Sequence, residues 1–126
     1  MVRVLTRNRG DARDLKMEFF MLSTTVGLNS VIGKKVIVRT DSDGVWFGEI
    51  VEKSGMEVCI KNARRMYYWK AKEGITISAM ALYGIDTEKS KIIEAVPLHW
   101  TLSIGLTLCN DEAIASIESA ENVKAM

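Results

Sequence analysis

Cysteine, proline and histidine are scarce in this chain: two, one and one in 126 residues. Cys59 and Cys109 stand fifty residues apart with no second Cys or His at metal-ligand spacing, so neither a zinc site nor a disulfide framework is indicated. Both fall in apolar, strand-like runs and are expected as buried thiols in a reducing cytoplasm. His99 stands alone beside Trp100, without a serine or cysteine motif, so a catalytic histidine is not expected. The single proline, Pro97, confines its stretch to a sheet edge or a bulge. Charge of one sign is lacking too. Seventeen Lys and Arg against sixteen Asp and Glu leave +1, which argues against coating DNA or anionic membrane through bulk charge, so any bound anion must be held locally. There is no run of about eighteen apolar residues and no charged-apolar-small pattern at the start. These absences predict a soluble protein that stays in the cytoplasm. Repeats and low-complexity tracts are absent as well.

What is present is 48% hydrophobic residues in a length that buries one core, so one main domain is expected. Residues 1–30 read as an N-terminal extension or tail. It opens with basic, polar "RNRGDARD" and passes into a stretch expected as a short amphipathic helix from Leu15 to Leu22, with Met17 and Met21 read as alternative starts. Residues 31–120 read as a single α+β ligand-binding domain, and residues 121–126 as a C-terminal tail.

Within the domain, "KKVIVRT" and "VWFGEIVEK" are strands joined by a tight turn at "DSDG", where Gly44 supplies a positive φ. "SG" at 54–55 turns the chain into "MEVCIK", and Asn62-Ala63 marks a further turn or bulge before "RRMYYWK". These four strands predict an antiparallel meander. Thr76 can cap a short helix with Ile77, Met80 and Ala81 inward and Gly84 as its stop. "SKIIEAVPLHWTLSIGLTLC" returns to strand character. Asn110 then caps a last helix that buries Ile114 and Ile117, with two acids in its positive first turn. The expected fold is a small twisted antiparallel sheet of about six strands with two or three short helices.

The stretch "NARRMYYWKA", Asn62 to Ala71, places three aromatics directly after Arg64-Arg65-Met66, in a chain only 7% aromatic. In a regular strand Arg65, Tyr67 and Trp69 share one face, and Arg64, Met66, Tyr68 and Lys70 the other. Met66 predicts that the second face meets the core. The first then offers a guanidinium, which pairs bidentately with phosphate, beside rings that can stack on a base. The alternative is a sheet packed on both sides with Tyr hydroxyls and arginines reaching solvent. Pattern alone favours that alternative.

Other candidates are weaker. Asp41 and Asp43 resemble part of a calcium loop whose remaining ligands are missing, and Asp is common in turns. Ser42 lacks a nucleophile-elbow context, and "VGLNSVIG" lacks the Gly-Lys-Ser/Thr ending of a phosphate loop. Glu49, Glu52 and Glu57 read as a solvated strand face. No general acid, general base and nucleophile assemble, so an enzyme is not expected.

The run "VIVRTDSDGVWFGEIVEKSGMEVCIKNARRMYYWKA", with "ISAMALYGI" and "SIGLTLCNDEAIASI", resembles a family of small phage-encoded proteins. In these a hairpin is followed by Asn-Ala-Arg-Arg with an aromatic tail, a short helix and a run of the form "I-x-x-C-T-E-x-A". It resembles in particular the first family of Thoeris anti-defence proteins, phage sponges that bind cyclic ADP-ribose isomers without degrading them. The likeness covers roughly residues 32–118, and "NARR" with its aromatics is its most specific part. Two departures stand out. Asp41 and Asp43 replace Tyr and Ala of the family's hairpin, placing negative charge where a diphosphate would be repelled, and Tyr67 replaces the first tryptophan of the aromatic tail.

The resemblance implies a non-catalytic binding protein, acting in the cytoplasm of the infected host cell, that sequesters a cyclic nucleotide. Arg64 and Arg65 would neutralise phosphates, Tyr67 and Trp69 would stack on adenine, and Asn62 would hydrogen-bond base or ribose. It also implies a homo-oligomer, a dimer or hexamer with ligand where subunits meet, and an apolar surplus in so small a domain points to pairing as well. No cofactor, metal or membrane is expected. The alternative is a nucleic-acid-binding or structural phage accessory protein using the same arginine and rings. The near-zero charge weighs against it.

Overall fold

The computed structural model describes residues 30–125. The helix expected at Leu15–Leu22 and the extension around it lie outside the described residues. The architecture is α+β, a six-stranded sheet with two short helices. The strands are β1 (Lys35–Thr40), β2 (Val45–Ser54), β3 (Glu57–Tyr68), β4 (Lys91–Ile93), β5 (Val96–Leu108) and β6 (Asn122–Val123), and the helices are α1 (Ile77–Tyr83) and α2 (Asp111–Glu118).

The sheet closes on itself. β1 pairs with β2, β2 with β3, β3 with the first half of β5, and the second half of β5 with β1. Four strands thus form a small closed barrel, from which β4 and β6 extend beyond β3. Two expectations change. The third and fourth strands of the expected meander are one twelve-residue strand, β3, because Asn62 is a bulge and not a turn: its φ is 51°, and the register against β2 slips as the chain passes it. The sheet is also mixed, since β6, formed by residues read as tail, runs parallel to β4. Pro97 sits near the start of β5, where β1 does not reach and that edge lacks a partner strand among the described residues.

Closure explains the continuous apolar run in β1. Val36 and Val38 face the barrel interior with Trp46, Ile50, Val58, Ile60 and Ala63. Ile37 points the other way, into a second cluster with Phe47, Met66, Met80, Ile92 and Ile117 beneath the helices. A strand buried on both faces cannot alternate apolar with polar. Each fully buried Ile or Met in these clusters contributes about 1.5–3 kcal/mol.

The helices are placed by their caps. Thr76 accepts a hydrogen bond from Ala79 N at 3.0 Å and Gly84 ends α1, while Asn110 accepts from Ala113 N at 2.9 Å. Met80, Ala81 and Ile117 are buried as the periodicity predicts, and Ile77 and Ile114 pack against the same cluster. The two helices are joined by polar contacts: Asn110 Nδ2 donates to Leu82 O, and Ser116 Oγ accepts from Ile85 N. Among the described residues no helix is long and apolar enough to cross a membrane.

Candidate ligand-binding site

The four residues of "NARR" have four different surroundings. Asn62 is exposed in the left-handed region, which Asn tolerates better than most side chains. Across from the bulge lies Gly48, where a Cβ would sit 2.4 Å from Ile60 Cγ2 and 2.9 Å from Lys61 O. Only glycine lets β2 approach β3 so closely. Ala63 fills the barrel interior and is fully buried.

Arg64 turns to the helix side and is 7% exposed. Its Nε donates to Ile93 O at 3.0 Å and Nη1 to Ile117 O at 3.1 Å. Nη2 lies 3.2 Å from Ile92 O, Ala120 O and Glu121 O. The guanidinium therefore ties β3 to β4 and satisfies carbonyls at the C-terminal end of α2, where the helix dipole favours a cation. Burial lowers its pKa, and Glu118 works in the opposite direction. Arg64 was expected to neutralise phosphate, but the structure buries it and its donors are already engaged by main-chain oxygens.

Arg65 turns to the mouth of the barrel and is exposed. Its Cζ stands 6.0 Å from the centroid of the Trp46 ring, the residue opposite it in register. Gly44 lies beneath it. With φ 83°, this residue takes a conformation that side chains rarely adopt, and a Cβ here would come 2.9 Å from Arg65 Nη2. The Trp46 ring stacks on His99, 3.9 Å between centroids, and its Nε1 donates to Asp43 O at 2.9 Å. Asp43 is fixed by its own N–H donating to Thr40 Oγ1 at 2.7 Å, and its carboxylate meets His99 Nε2 at 2.6 Å.

The mouth is thus a connected set of Arg65, Trp46, His99 and Asp43, drawn from β3, β2, β5 and the β1–β2 turn. Burial works to raise the Asp43 carboxyl, but hydrogen bonds from His99 and Thr101 and the charges of His99 and Arg65 together hold it below the ordinary aspartate value.

Tyr67 is 70% exposed, next to Tyr68 at 58%. Trp69 departs from expectation. The pairing of β3 with β4 slips between Met66 and Tyr68, and Trp69 packs against the helix-side cluster that contains Met66. A break in the pleat has moved it off the face it was expected to share with Arg65. The structure therefore separates the five expected site residues: Arg65 and Tyr67 are left open, Asn62 forms the bulge, and Arg64 and Trp69 serve the interior.

Sequence reasoning missed Trp46 as the ring beside Arg65, and it set aside Asp43 and His99 as a turn residue and an isolated histidine.

Both cysteines are free thiols. Burial and nearby Glu52 push Cys59 up, and burial pushes Cys109 up to about 11 against the lowering effect of a backbone hydrogen bond at Ile37, so neither is an activated nucleophile at neutral pH. Among the described residues no group of three or more His, Cys, Asp or Glu is placed to hold a metal ion.

Residues 33–117 match the model of a domain of unknown function, DUF6948. The chain belongs to this family. The matched span starts just before β1 and ends within α2, so it takes in the whole barrel, the bulge and both arginines. No curated protein and no solved structure matches the chain.

Proposed function

We propose that this DUF6948 protein is a non-catalytic binding protein that sequesters a cyclic nucleotide of the cyclic ADP-ribose type, as a phage anti-defence sponge in the cytoplasm of the infected cell. The observation that carries the reading is Arg65, exposed at the barrel mouth over the Trp46 ring and two residues from exposed Tyr67. A guanidinium held against one ring keeps N–H groups for a phosphate oxygen, and a free tyrosine ring can cover a base. Asp43 is turned onto His99, which lessens the repulsion that a carboxylate would offer a diphosphate.

The test is capture and release. The protein is incubated with cyclic ADP-ribose isomers, washed and heated, and the supernatant is assayed for intact ligand. Recovery of unaltered ligand from wild type, and its loss with Arg65→Ala, is the expected result. Hydrolysed ligand would show an enzyme, and steeply salt-dependent binding of single-stranded nucleic acid in place of the small ligand would favour a nucleic-acid-binding accessory protein.

A further inference from the structure

The outer face of β5 is apolar where a strand of this kind is expected to be polar. Leu98, Trp100, Leu102 and Ile104 are 56, 58, 51 and 48% exposed. His99 and Thr101, between them, pair with the barrel-lining Ile60 and Val58, so the apolar residues point outward. A stripe of four large side chains is more than the scattered apolar residues of an ordinary surface. At its centre a shallow depression of about 210 Å³ is lined by Glu57, Trp100, Thr101 and Leu102.

The row beside the stripe is ordered by charge. On β3 the register sets Glu57 against Leu102, Cys59 against Trp100 and Lys61 against Leu98. An acid and a base thus stand at equal steps on either side of the Cys59–Trp100 pair, flanked by leucines of equal size.

We infer that this face is the interface between two copies of the chain, related by a two-fold axis along the Cys59–Trp100 row. Rotation about that axis lays Trp100 on Trp100 of the second copy and Leu98 on its Leu102. Lys61 then lies on Glu57 of the second copy, and Glu57 on its Lys61. This is the self-complementarity a two-fold contact requires: residue i meets j and j meets i. An aromatic anchor lies at the centre and charges at the rim, as in specific interfaces. Glu52, beyond Cys59 on β2, is the one charged side chain of this row, and it faces its own image. Packed sheets cross at about 30°, which carries the outer strands apart and leaves such a rim carboxylate in water. A net charge of +1 opposes association very little. The inference does not rest on the ligand reading.

Sedimentation velocity of the full chain over a concentration series tests it. Wild type is expected to be dimeric or larger. Trp100→Glu should weaken association by roughly a hundredfold or more, as loss of a central interface tryptophan does. Lys61→Glu should weaken it by about tenfold through like charges at the rim, and adding Glu57→Lys should restore it. If Trp100→Glu fails to fold, Leu102→Lys on the same face gives the same reading. A wild-type chain that stays monomeric, a dimer indifferent to Trp100→Glu and Leu102→Lys, or a charge swap without rescue overturns the inference.

Discussion

The helix-covered side of β3 and its barrel-mouth side each hold one arginine, consecutive in the chain and opposite in use. On the helix side Arg64 reaches five main-chain oxygens from β4, α2 and the turn after it, and is 7% exposed. At the mouth Arg65 lies over a tryptophan ring with its outer edge in solvent. The difference is one of satisfaction. A guanidinium whose N–H groups meet carbonyls is part of the fold, whereas one that keeps them toward water can still receive an anion. The bulge at Asn62 decides which arginine has which fate, because it sets the side of the sheet to which each one turns.

This contrast can be broken most severely at Arg64. Arg64→Ala strips donors from several buried carbonyls, and at about 1–3 kcal/mol for each group left unsatisfied the loss should reach about 3 kcal/mol or more. Urea denaturation measures it. Arg64→Lys should recover little, since an ammonium cannot span the planar fork. Next comes the bulge itself. Gly48→Ala forces a Cβ against Ile60 and Lys61 O and should cost about 1–3 kcal/mol as overpacking, seen as a lower melting temperature. Arg65→Ala sharpens the contrast from the other side. Stability should change by less than about 0.5 kcal/mol, as at ordinary surface positions, while affinity for the cyclic nucleotide falls about ten- to a hundredfold.

The smallest effect is expected at Asp43. Its carboxyl is held below the ordinary value of 3.8, so its contribution to stability is complete above that value and is lost as pH falls through the lower folded value. Asp43→Asn should flatten that acid limb of the stability profile. The difference at neutral pH should stay under about 1 kcal/mol, as for other partly exposed ion pairs.

Local chemistry made the helices and turns legible. Thr76 and Asn110 cap the helices they were expected to cap, and Gly44 forms the hairpin turn. The bulge at Asn62 and the inward face of Met66 could be read from "NARRM" in the same way. Barrel closure could not, because β5 pairs with β3 and β1 across separations that no local pattern encodes. Arg64 was misread for a related reason: its partners are main-chain oxygens 28 to 57 residues away, and a carbonyl leaves no mark in a sequence. Trp69 left the expected face through a slip at the end of β3 that strict alternation cannot foresee.

Arg65 is proposed to hold ligand while Arg64 holds the fold. The most direct test is calorimetric titration of the folded Arg65→Ala protein with a cyclic ADP-ribose isomer, beside wild type and with both melting temperatures recorded. The expected result is an unchanged melting temperature and an affinity weaker by about ten- to a hundredfold. Binding equal to that of wild type, or a fall in melting temperature that accounts for the lost binding, would contradict it.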